Sequence, residues 1–198
     1  MPRVVGAQYV VGSPPATPVL RPLKQPMYDT EIYPTAGVGR LQWFVNSSTI
    51  AATGAAKTLA DTNMTQNGNL GTPLEFDLIG FNFEIQYGTT MADRVQIENT
   101  GVLIWIFGQN TPWLTVPITR IPEGSGVTGN STAANTAVIS QGVAHATNFY
   151  NFSVDRRARH IFSNESFHGE LQYPGGVQTV SANTRLRLFM LGILFGQL

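Results

Sequence analysis

Polar and apolar positions alternate with a period of two along much of the chain. The clearest run is Leu74–Tyr87, where Phe76 and Leu78 alternate with Glu75 and Asp77. The phase slips at Ile79-Gly80, and Phe81, Phe83, Ile85 and Tyr87 then alternate with Asn82, Glu84 and Gln86. Such a run predicts a half-buried strand carrying a bulge at the slip. Further strands are expected over Arg40–Ile50, Arg94–Ile97, Val102–Phe107, Trp113–Ile121, Ala137–Val143, Asn148–Val154, Arg159–Phe162, Phe167–Tyr173 and Thr184–Phe195. Clusters of Gly, Pro, Asn or Ser separate most of them. No segment longer than ten residues carries an apolar stripe at helical spacing. Ala51–Asp61 is the best helix candidate, although its Thr and Gly suit a loop equally. Gly124–Asn135 and Asp61–Thr72 read as exposed loops. Eight to ten short strands at this spacing predict an all-β antiparallel sandwich or barrel.

Seven of the twelve prolines lie at or before position 34. Proline fixes φ and lacks an N–H, so helices and central strands are disfavoured there. Residues 1–39 are therefore expected to form an extended arm, with Val4–Val11 able to add an edge strand. Val19, Leu20, Leu23, Met27, Tyr28, Ile32 and Tyr33 would anchor it to residues 40–198, the β domain.

Charge changes the picture most. The 198 residues include 12 basic and 12 acidic side chains, and only 12% are charged, about half the roughly 25% usual for soluble domains. There is no basic excess to neutralise phosphates, which disfavours a strongly electrostatic partner. With no Cys, a disulfide-stapled scaffold and Cys-based zinc ligation are excluded. The N-terminus is too polar for a signal peptide. The longest apolar runs, Val102–Phe107 and Leu188–Phe195, fall far short of a bilayer-spanning helix. The chain is thus expected to fold where it is made.

Catalytic chemistry finds little footing. Gly124-Ser125-Gly126 lacks the spacing of a nucleophile elbow, and no phosphate-binding Gly-rich loop precedes either lysine, Lys24 or Lys57. His160 and His168 with Glu165 and Glu170 could in principle ligate a metal, but surface or turn roles fit them better. Asp61, Asn63, Thr65 and Asn67 recur at every second position as calcium-loop ligands do. However, Gln66 stands where the turn needs Gly and Thr72 where bidentate Glu is needed. Glu75, Asp77 and Glu84 share the polar phase of one strand, where a solvated face is the default over a glycosidase pair. The reading is of no enzyme, no catalytic residue, no metal, no cofactor and no small-molecule substrate.

One cluster stands out: Arg156, Arg157, Arg159 and His160, beside Asp155. It can serve a subunit contact, a phosphate contact to lipid or nucleic acid, or the charged protection of a strand edge. Arg185 and Arg187 alternate with Leu186 and Leu188, marking a solvent or interface face. Trp43, Trp105 and Trp113 all lie in strand-like runs. Trp105 sits in the uninterrupted Val-Leu-Ile-Trp-Ile-Phe, which suits a strand covered on both sides. Core or subunit contact fits all three better than sugar stacking.

Residues 156–172 (Arg-Arg-Ala-Arg-His-Ile-Phe-Ser-Asn-Glu-Ser-Phe-His-Gly-Glu-Leu-Gln) lead to a Pro-Gly-Gly turn and then to Thr-Arg-Leu-Arg-Leu-Phe-Met-Leu-Gly-Ile-Leu-Phe-Gly. With the Pro-rich arm and the Thr/Asn/Gly-rich loops, this organisation resembles the single jelly-roll virion proteins of icosahedral, tailless bacterial viruses. The resemblance implies about eight strands in two facing sheets, and arms and loops that tie many copies into a shell. It carries no catalytic residue. The composition agrees, because obligate interfaces are poor in Lys and Glu, and so lightly charged a surface is poorly protected from association. The expectation is a capsid subunit, assembled in the host cytoplasm into the virion, whose partners are copies of itself and other virion proteins. The neutral arm favours a lipid-lined shell, or one whose genome other proteins handle, with lipid or genome contact on its inner face. A carbohydrate-binding or adhesin-like β-sandwich is the second expectation.

Overall fold

A computed structural model of the chain describes residues 20–86, 88–108, 111–122, 127–131, 137–141, 150–151 and 159–197. Twelve strands lie within them: β1 Leu20–Leu23, β2 Met27–Tyr33, β3 Arg40–Trp43, β4 Glu75–Ile85, β5 Val102–Phe107, β6 Thr111–Pro117, β7 Val127–Ser131, β8 Ala137–Gln141, β9 Tyr150–Asn151, β10 Arg159–Ile161, β11 Phe167–Gln172 and β12 Thr184–Gln197. One helix, α1 (Met91–Asn99), joins β4 to β5, and a single 3-10 turn, Ile118–Arg120, follows β6.

The pairing is that of one long hairpin rolled up. β2 pairs β12, β3 pairs β11, β4 pairs β10 and β5 pairs β6, every pair antiparallel. Two further pairings, β12 with β4 and β11 with β5, close the roll into two sheets. The larger runs β1-β12-β4-β10, with β2 also on β12 and β9 also on β4; the smaller runs β3-β11-β5-β6. This is the jelly-roll β-sandwich with its two Greek keys. β7 and β8 form a separate two-stranded hairpin.

The core lies between the sheets. Trp43, Trp105, Phe76, Phe81, Phe83, Phe167, Leu186 and Leu188 are all essentially inaccessible. Trp105 sits at its centre, 4.7 to 6.2 Å by ring centroid from Phe44, Phe81, Phe107 and Phe167. Aromatic pairs at such distances add to the stabilisation from area burial alone.

The phase slip of β4 is a bulge. Leu191 pairs Gly80 and Gly192 pairs Leu78, so Ile79 is the extra residue. The bulge keeps Phe76 and Leu78 on the same buried side as Phe81 and Phe83. It also draws the strands together at Gly192, where a Cβ would stand 1.9 Å from the Asp77 carbonyl oxygen. Only glycine fits that approach.

Several sequence expectations change here. Residues 20–33 are extended, as their prolines suggest, but they are paired strands within the larger sheet and not a strap laid over it. β1 and β2 run end to end along the 14-residue β12, with a break at residues 24–26. Pro22 is tolerated because β1 is an edge strand, where a missing N–H costs no ladder bond. Residues 1–19, including Val4–Val11, lie outside the described residues.

The strand expected at Arg94–Ile97 is part of α1. Its buried residues are Asp93, Arg94 and Ile97, so two of the three are charged and no apolar stripe marks the helix. A local signal existed in Thr90-Met-Ala-Asp93, the spacing of a capping box. The Thr90 hydroxyl accepts from the Asp93 N–H at 3.2 Å. Ala51–Asp61 is irregular, and β7 occupies part of the expected loop Gly124–Asn135.

Candidate functional site

The described half of the basic cluster lies on β10, an edge of the larger sheet. Arg159 pairs with Glu165 and lies over the Phe107 ring, its guanidinium carbon 4.6 Å from the centroid. His160 stands between two carboxylates of β4, with Nδ1 2.6 Å from Asp77 Oδ1 and Nε2 3.1 Å from Glu75 Oε2. These contacts tie a three-residue strand to its neighbour. Arg156 and Arg157 lie outside the described residues, so the structure places only half of that site.

The four metal candidates do not converge. His160 belongs to the larger sheet and His168 and Glu170 to the smaller, while Glu165 is held by Arg159. Among the described residues, no group of three or more His, Asp or Glu is arranged to hold a metal ion. The would-be calcium ligands are used as staples. Asp61 accepts from the Thr58 N–H and hydroxyl, Asn63 accepts from the Tyr28 N–H and donates to the Pro26 carbonyl, and Asn67 accepts from Ser47. Burial pushes the Asp61 carboxyl up, but the Thr58 hydrogen bonds and the nearby Arg185 and Arg187 outweigh it and hold it below its usual range.

The outer faces of the sandwich follow from the alternation. On β12, Leu186, Leu188 and Met190 point into the core, which turns Arg185, Arg187, Phe189, Leu191, Ile193 and Phe195 outward. The last four are only half-buried. Arg187 lies beside Tyr28 and Phe189, donates to Thr30 Oγ1 at 3.0 Å and to the Ala60 carbonyl at 2.7 Å, and faces Glu84 at 3.4 Å. Arg185 is exposed and pairs with Asp61 at 3.1 Å. Together with Thr30, Glu84 and Gln86, these two arginines line a shallow open depression.

The outer face of the smaller sheet is half polar and half apolar. Glu170 of β11 lies buried among Arg40, Gln42, His168 and Gln172, and all four reach its carboxylate. Burial pushes its pKa up, but the hydrogen bonds from Arg40, Gln172 and Gln42 win and hold it below the usual glutamate value. Beside this network, Val102 and Ile104 stand half-buried on the outward phase of β5, while Ile106 on the same phase is buried. Trp43 is in the core and donates to the Leu186 carbonyl at 3.1 Å. Trp113 alone of the three tryptophans is exposed, at 40%.

One constellation escaped the sequence reading. Asp29 and Glu31 share the core-facing side of β2 with Met27 and Tyr33. Lys57, from the irregular segment after β3, places Nζ 2.7 Å from Asp29 Oδ1, 2.7 Å from Glu31 Oε1 and 2.8 Å from the Asn46 carbonyl oxygen. The Phe44 N–H donates to Asp29 Oδ2 at 2.6 Å and the Ala51 N–H to Glu31 Oε2 at 2.9 Å. Burial pushes both carboxyls up against the opposing pull of Lys57. The available signal was an acid at two successive core-phase positions, Met27-x-Asp29-x-Glu31-x-Tyr33, in a chain with two lysines.

The fold and these surfaces define a jelly-roll β-sandwich. No family model, no curated protein and no solved structure matches the chain.

Proposed function

We propose that the chain is a structural subunit of a virus particle, one that self-associates through the faces of its sandwich, its N-terminal segment and its loops. The observation that carries this reading is the set of outward apolar side chains on both sheets of a lightly charged jelly roll. Phe189, Leu191, Ile193 and Phe195 stand half-buried on one sheet, and Val102 and Ile104 half-buried on the other. Apolar side chains left partly open on an outer face mark interaction sites, and a chain with 12% charged residues has little to oppose association. Sister molecules are the proposed cover, with other virion proteins, lipid or genome as further partners. The role assigned is architectural, without catalysis.

Negative-stain microscopy of the purified protein, with mass by light scattering, tests this. Large regular assemblies are expected, weakened when residues 1–19 are removed. That cut spares β1 and β2, which the sandwich needs. A single-copy species that persists at high concentration refutes the reading.

Trp113 supports a second reading, a carbohydrate-binding module, because its exposed ring on β6 could stack on a sugar. Trp43 and Trp105 cannot contribute, being enclosed in the core. That reading predicts a discrete small species retained on a glycan array, with retention lost in Trp113→Ala.

A further inference from the structure

Lys57, Asp29 and Glu31 form a dry three-membered site for which the architectural role has no use. The lysine side chain has no accessible surface, and those of Asp29 and Glu31 are 1% and 3% accessible. Removing charges from water costs several kcal/mol per ion, and two carboxylates against one ammonium leave the site unbalanced. In such surroundings the neutral acid form gains on the carboxylate. Burial has already raised both carboxyl groups above their ordinary values.

We propose that this site is self-modifying: Lys57 Nζ condenses with the side-chain carboxyl of Asp29 to form an intramolecular amide, with Glu31 as the proton carrier. Nζ stands 2.7 Å from Asp29 Oδ1, which puts it within about 4 Å of the carboxyl carbon by bond lengths alone. Held reactants of this kind gain a large effective concentration.

The step balances without any co-reactant. One Nζ proton passes to Oδ1 across their 2.7 Å contact, leaving amine and acid, and Glu31, whose Oε1 is 2.7 Å from the same nitrogen, takes a second as the new bond forms. The amine lone pair forms the Nζ–Cγ bond, and the negative charge that develops on Oδ2 falls on the Phe44 N–H, 2.6 Å away. Donors fixed where charge develops are the strongest aid to acyl chemistry. The Cγ–Oδ1 bond then breaks, and Oδ1 departs as water, taking one proton from Glu31 and keeping the one it held as the acid. An uncharged amide replaces an ion pair, and one water is released.

A separate feature points to Asp29 over Glu31 as the acyl partner. Phe44 holds φ at +67°, a region costly for a bulky side chain and found mostly where the surroundings enforce it. That conformation belongs to the residue whose N–H meets Asp29 Oδ2.

The bond would link β2 to a segment 28 positions later and close that loop covalently. It does not depend on the proposed particle role, because a lone subunit carries the whole site.

Intact-mass spectrometry of the full-length protein decides the matter. The wild type is expected to be lighter than its sequence by one water, about 18 Da. Trypsin should release a branched peptide joining residues 25–40 to 41–94, since cleavage after an acylated Lys57 is blocked. Fragmentation should place the branch at Asp29. Glu31→Gln and Lys57→Met should each have the full sequence mass. A wild type of full mass overturns the proposal, as does a branch at Glu31 or a Glu31→Gln protein that still loses water.

Discussion

Trp43 and Trp105 offer a matched pair of perturbations. Both side chains are fully buried in the same core, yet their indole N–H groups differ. Trp43 donates to the Leu186 carbonyl at 3.1 Å, whereas Trp105 Nε1 has no hydrogen-bond acceptor among the described residues. Replacing either by Phe removes roughly 50 Å² of buried apolar area, worth about 1.2 kcal/mol at ~25 cal/mol per Å². It also leaves roughly 40 Å³ of space, worth about 1 kcal/mol more if the core does not relax. Each change should therefore cost about 2 kcal/mol from packing. Trp43→Phe loses a buried hydrogen bond besides, adding about 1 kcal/mol. Trp105→Phe loses none, and a Phe there still meets Phe44, Phe81 and Phe167. Urea unfolding followed by far-ultraviolet circular dichroism, at a concentration where light scattering shows no assembly, gives both values by linear extrapolation. The expected order is wild type, then Trp105→Phe, then Trp43→Phe. If Trp105→Phe proves as damaging as Trp43→Phe, or worse, the assignment of the two indoles is wrong.

Two further outcomes follow from local geometry. Gly192→Ala forces a Cβ to within 1.9 Å of the Asp77 carbonyl oxygen, so the central β4–β12 pair must part. A loss of about 3 kcal/mol or more in urea is expected, while Gly175→Ala, with nothing within 4 Å of its Cβ, should be near neutral. Glu170, held below its ordinary value of 4.5 by its hydrogen bonds, binds fewer protons folded than unfolded. Its stabilising share is thus complete above the unfolded value and lost as pH falls through the folded one. The stability gap between wild type and Glu170→Gln should narrow progressively below about pH 4.5, as followed by urea midpoints from pH 7 downward. A gap that widens on acidification would show that the sign is reversed.

The alternation of side chains along a strand is a local property, so most of what depends on it was legible in the order of residues. Phe76 through Ile85 announced a strand, the slip at Ile79, and the face that would be buried. Arg185 and Arg187, alternating with Leu186 and Leu188, announced the outward and inward sides of β12. The low charge likewise followed from composition alone. Tertiary structure decided whatever depends on the partner across a gap. Residues 20–33 read as an arm because prolines argue against strands, yet the long edge of β12 supplied hydrogen-bond partners that propensity could not foresee. Helix α1 buries Asp93, which accepts from Ser181, and Arg94, which donates to the Ile85 carbonyl, so no local stripe betrayed it. Asp29 and Glu31 became core residues only because Lys57, 26 or more positions away, reaches them. A charge can face inward only when a distant counter-charge meets it, and where that counter-charge lies is a property of the rolled chain.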